Sequence, residues 1–115
     1  MTLREVAQMV NSFGIPSCYY QFTNNTKIAP PFVAYYYNGS EDLIADNINY
    51  CKVNGLIIEL YTDNKDFALE QIIETKLKEN DLAFTRVENY LDDQRMYMVV
   101  YTSSVVITEE SNNGE

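Results

Sequence analysis

The residues that could carry chemistry are few, and their spacing is unpromising. Histidine is absent, which removes the commonest general base and the usual metal ligand. Serines stand at positions 12, 17, 40, 103, 104 and 111, none in a GxSxG turn, and without histidine no Ser-His-Asp relay can form. The four glycines lie too far apart to cradle a phosphate. Carboxylates do pair, at Glu41-Asp42, Asp92-Asp93 and Glu109-Glu110. Two acids can support hydrolysis, but all three pairs fall in predicted turns or in the tail, where a solvated acid is the plainer reading. The acidic segment from Asp42 to Asp46 lacks the calcium-loop pattern. Cys18 and Cys51 make neither a CxxC pair nor, without histidine, an ordinary zinc site. Reduced, partly buried thiols are expected, with a bridge between them left open. No catalysis, metal or cofactor is expected.

Charge narrows the partners. The chain carries −9 at neutral pH with only eight Lys and Arg. Those cations (Arg4, Lys27, Lys52, Lys65, Lys76, Lys78, Arg86 and Arg95) are scattered among acids. Binding nucleic acid through its phosphates needs clustered cations that release counterions, so that class is disfavoured. No apolar run approaches the ~18 residues of a membrane span, and MTLREVAQ does not read as a secretory signal. The expectation is a chain that stays in the cytoplasm where it is made. At 115 residues, 46% hydrophobic and 22% charged, it has room for one packed domain. That domain is expected over residues 1–108, with 109–115 as a disordered tail.

The elements that must position any site follow from hydrophobic periodicity. Leu3, Val6, Met9, Val10 and Phe13 share a helical face. Thr2 with Glu5 reads as a capping box, and Gly14 and Pro16 as the stop. A short strand is expected at Cys18–Phe22, and a second from Phe32 to Asn38 after the diproline. An acidic loop is expected from Gly39 to Asn47. Asn54-Gly55, flanked by alternating apolar residues, predicts a two-residue hairpin with arms at Ile48–Val53 and Leu56–Thr62. A second helix follows from Lys65 to Glu79, capped by Asp63 or Asn64. Its apolar line is Phe67, Leu69, Ile72, Ile73 and Leu77, with Glu70 facing water. Strands at Ala83–Leu91 and Met96–Thr108 flank an LDDQR turn. The order predicts an α+β domain: a mixed, mainly antiparallel sheet of four to six strands with two helices on one face.

Tyrosine is the informative residue. There are ten, all within predicted strands. Side chains alternate along a strand, so the run Tyr35-Tyr36-Tyr37 places aromatics on both sides of the sheet. MYMVVY at 96–101 is apolar on both sides too. Two helices can cover one side only. The other should present Tyr and Val, residues suited to protein interfaces; a wet, tyrosine-coated surface is the plainer alternative. Tyr35, Tyr37, Tyr61, Tyr97 and Tyr101 are the candidate interface residues.

These same segments carry a resemblance. Pro31-Phe32 opening a strand, Ala45-Asp46-Asn47, Glu59-Leu60-Tyr61-Thr62 leading through Lys65-Asp66 into an acidic helix, and Met96-Tyr97 through Tyr101 together resemble tail terminator (tail completion) proteins of siphophages and of prophages in Gram-positive bacteria. The likeness covers nearly the whole chain before the tail. The Ser-Glu usual before the last strand stands here as Asp93-Gln94-Arg95. The resemblance implies a structural virion protein that forms a ring, generally of six, to cap the tail tube and meet the head connector. It implies as partners further copies of the chain, the tail tube protein and the head connector or head-closure protein. DNA would pass through without specific binding, its phosphates repelled by an acidic lumen. Glu41, Asp42, Asp46 and Asn47 are the candidate loop residues facing tube or lumen. The implied location is the host cytoplasm during assembly, then the head-proximal end of the virion tail. The alternatives are a head-closure or connector-adaptor protein of the same module and, from a different class, an acidic DNA-mimicking regulator.

Overall fold

The computed structural model describes residues 1–20, 28–42 and 51–108, with backbone alone at 39–42 and 51–54. Two helices and five strands follow in the order α1 (Leu3–Asn11), β1 (Ser17–Tyr19), β2 (Phe32–Asp42), β3 (Cys51–Thr62), α2 (Phe67–Glu79), β4 (Phe84–Leu91) and β5 (Met96–Thr108). The strands form one sheet ordered β1-β2-β3-β5-β4. Only the β1–β2 pair is parallel; the other three are antiparallel. This is the α+β arrangement expected.

Both helices bury their apolar stripes in the same core. Val6, Met9, Val10 and Phe13 come from α1 and the turn after it, and Leu69, Ile73 and Leu77 from α2. They meet Val33 of β2, Leu56, Ile58 and Leu60 of β3, and Val99, Tyr101 and Val105 of β5. Within each strand these positions are two or four apart, so they share one side of the sheet, and the helices cover that side. Each such side chain contributes about 1.5–3 kcal/mol by leaving water.

Local chemistry sets the helix ends. At α1 the Glu5 amide donates to Thr2 Oγ1 at 3.1 Å and the Thr2 amide donates to Glu5 Oε1 at 2.8 Å, so the capping box forms as read. The cap of α2 is Asp66, whose carboxylate accepts from the Leu69 amide at 3.0 Å, and not Asp63 or Asn64. The helix therefore starts two residues later than expected, and Lys65 stays in the connector. The apolar line of α2 also needs correction. Leu69, Ile73 and Leu77 set the buried stripe, and Phe67 and Ile72 lie roughly 100° or more from its centre. Phe67 is accordingly 72% exposed, with Lys65 Nζ 5.0 Å from its ring centroid, while Glu70 is only 4% exposed.

The predicted Asn54-Gly55 hairpin does not form. Both residues lie inside β3, which runs unbroken for twelve residues between β2 and β5. Gly55 stands opposite Asn38 on one side and Ser104 on the other. The β2 register shifts between Asn38 and Ser40, and a Cβ on Gly55 would sit 3.3 Å from the Asn38 carbonyl oxygen. The glycine serves a close backbone approach beside a bulge, a use as typical of the residue as a turn. Likewise β2 continues through Glu41 and Asp42, so 39–42 of the expected acidic loop are strand, and 43–47 lie outside the described residues.

Buried Glu70 is held by two cations: Lys65 Nζ donates at 2.6 Å, and Arg86 pairs with its other oxygen. Lys65 also reaches Glu88 at 2.6 Å, and Arg86 lies 3.4 Å from Glu74. The network ties the first turns of α2 to β4. Glu70→Gln leaves two cations without their shared anion and should cost about 1–3 kcal/mol, read as a lower urea midpoint at unchanged slope.

Candidate assembly interface

Strand alternation dictates what the second side of the sheet presents. Register places Phe32, Tyr61, Met98 and Asn89 in one row across it, and Cys18, Ala34, Glu59, Val100 and Val87 in the next. Tyr36, Ile57, Thr102 and Thr85 make the third. Among the described residues no helix packs on this side. Ala34 and Ile57 are nevertheless buried between larger neighbours. Around them Phe32, Tyr36, Tyr61, Met98 and Val100 are half-buried, and Val87 is 57% exposed. The result is an apolar and aromatic surface spanning the sheet, the composition of an interface core.

One charge stands at its centre. The Glu59 carboxylate accepts from Tyr61 Oη at 2.7 Å and from Tyr36 Oη at 3.0 Å, one phenol to each oxygen. Such charge-assisted bonds hold both rings in place. The Phe32 and Tyr61 rings stack with centroids 4.8 Å apart, and Tyr20 lies 5.2 Å from Tyr36. Burial, reinforced by the neighbouring Glu59 charge, pushes the Tyr36 and Tyr61 phenols upward. Cys18 is a free, half-buried thiol whose pKa is raised by burial. The patch is stiff and aromatic, and it holds no nucleophile activated by a base. Among the described residues no group of three or more His, Cys, Asp or Glu is close enough to hold a metal.

The structure separates the five candidate tyrosines. Tyr61 alone lies on the open side. Tyr35 and Tyr37 point to the helix side and pack against the core. Tyr101 is 1% exposed and donates to Glu74 Oε2 at 2.9 Å, so its place among interface residues is corrected: it is core. Tyr97 shares that parity and packs edge-on against Tyr90 at 4.9 Å. The reason is period 2: residues 35, 37, 97 and 101 fall in step with buried Val33 and Val99, whereas Tyr61 is out of step with Leu60. Counting alternation from Leu60 would have found Ile57, Glu59 and, through pairing, Phe32 and Tyr36. The Glu41 and Asp42 backbones pair with Val53 and Lys52 in the sheet. Asp46 and Asn47 lie outside the described residues, as does the tail from 109. Among the described residues no helix is long and apolar enough to cross a membrane.

Five phenols shifted upward by burial give a measurable signature. Tyr37 is raised from 10.0 to about 12, by burial first and then by Tyr35 and Tyr19; Tyr35, Tyr36, Tyr61 and Tyr101 are raised as well. A phenol raised on folding favours its neutral form, so its contribution is intact below pH 10 and is lost as pH climbs through the raised value. Stability should therefore fall between pH 10 and about 12. Absorbance at 295 nm should show these tyrosines ionising together with loss of near-ultraviolet circular dichroism, not before it.

No protein-family model and no curated protein matches the chain.

Proposed function

We propose that the chain is a structural subunit, a tail terminator that closes into a ring on the end of a siphophage tail tube and meets the head connector. The observation that carries this reading is the apolar, aromatic side of the sheet that no described helix covers. Such a surface costs free energy in water and is relieved when another protein covers it. A ring repeats one heterologous contact by rotation: the open side of one subunit is received by a different surface of the next. The segments that carry the family likeness support the reading, because Phe32, Glu59 and Tyr61 belong to this bare side.

Charge is consistent with the same role. A ring of six carries six times the −9 of one chain, and a bore of that sign repels DNA phosphates in transit and does not hold them. No chemistry is asked of the subunit. Its work is shape and coverage.

At high concentration the protein should sediment and scatter light as a species of about 80 kDa, six times the 13.3 kDa chain, with ring-shaped particles in negative stain. Tyr61→Asp and Val100→Asp should abolish the ring while leaving far-ultraviolet circular dichroism unchanged, whereas Tyr97→Asp should leave it intact. Rings that survive both substitutions on the open side would falsify the assignment of that side. A chain that never assembles alone, yet binds a connector, fits the head-closure adaptor instead.

A further inference from the structure

The sheet has a second unfilled valence besides its bare side. β4 is an edge strand, and among the described residues nothing pairs with its outer rim. Edge strands are ordinarily blunted by proline, by charged side chains (lysine above all), by a bulge or by short length. FTRVENYL at 84–91 has eight residues without proline or lysine and pairs with β5 in unbroken register, and its two charges, Arg86 and Glu88, are of opposite sign. Six consecutive residues, Thr85 to Tyr90, are exposed.

The sequence of this strand is complementary to itself. Laid antiparallel against a second copy with Val87 opposite Val87, it puts Arg86 opposite Glu88 and Phe84 opposite Tyr90, each twice, with Thr85 opposite Asn89. Opposite charges, paired aromatics and paired apolar residues are the combinations that stabilise adjacent strands. Slipping by two residues in either direction sets Arg86 against Arg86 or Glu88 against Glu88. The same charges therefore select one register and reject its neighbours. Arg86 and Glu88 are already steered to the helix side by Lys65, Glu70 and Glu74, which leaves the backbone rim clear.

From this we infer that the free chain pairs with a second copy of itself through β4, joining two five-stranded sheets into one of ten strands about a two-fold axis through Val87. Alternation keeps the two bare sides on one side of the joined sheet and all four helices on the other. The inference stands on the strand's own sequence. A ring threaded on a polar tube cannot relate neighbours by a two-fold, so the pair is a state of the subunit before it joins the proposed ring.

Val87 is exposed, and changing it leaves the core intact. Light scattering on dilute protein should give about twice the chain mass for the wild type and the single-chain mass for Val87→Lys, with unchanged far-ultraviolet circular dichroism. Val87→Cys should form, on mild oxidation, a reducible dimer that the wild type does not, because opposite residues bring their β-carbons within disulfide reach. Tyr61→Asp should keep this pair while losing the ring. A dilute wild type of single-chain mass, a Val87→Lys variant that stays paired, or a Val87→Cys variant that oxidises no differently from the wild type overturns the inference, whether or not rings form. A β4-dependent pair in a protein that never makes rings supports it and counts against the ring reading alone.

Discussion

A sheet has two sides, and the described helices of this chain cover one. Val6, Val10, Leu69, Ile73 and Leu77 close over the Val33, Ile58 and Val99 side and make a dry core. The other side holds Phe32, Tyr36, Ile57, Tyr61, Met98 and Val100, rich in carbon yet uncovered by any described helix. Burial of apolar surface is the main favourable term in folding and association alike. On the proposed reading, the remainder is gained from a partner. The proposed role, the chemistry the patch lacks and the shape of the assembly all descend from that asymmetry.

In the proposed assembly, Glu59 keeps the uncovered side specific. A carboxylate amid apolar neighbours is costly to desolvate, and its two oxygens are met by the Tyr36 and Tyr61 hydroxyls. Any partner must leave those bonds in place or replace them. Such an arrangement sets orientation more than affinity. On the helix side the Glu70 network has a different task. It seals the seam between α2 and β4 with charges already satisfied within the chain, and it leaves no unpaired acid for a substrate.

Much of this was legible in the residues, and the misreadings have definite causes. Period 3.6 and the Thr2-Glu5 box located α1, and the β-branched runs located β5 to its ends. The Asn54-Gly55 pair misled because its turn chemistry is local, whereas its use is set by a bulge at Asn38 on a neighbouring strand that no local pattern reveals. Glu70 read as a surface acid because its partners, Lys65 and Arg86, are brought to it only by tertiary packing. The tyrosines stood out as a class, but the five chosen fall on both sides of the sheet, four with the core and Tyr61 opposite. Ten residues of one type hide the alternation that Leu60 and Val33 would have displayed.

The central claim is that the Phe32–Tyr61–Met98 side of the sheet becomes buried on assembly, and oxidative footprinting reads this directly. Met98 lies in the middle of that side and Tyr61 beside it, and both are partly exposed in the isolated chain. On assembly their modification rates should fall severalfold, while exposed Phe67, on the helical layer away from the sheet, serves as the reference. Equal labelling of Met98 and Tyr61 in the assembled and isolated protein would contradict the account at its root.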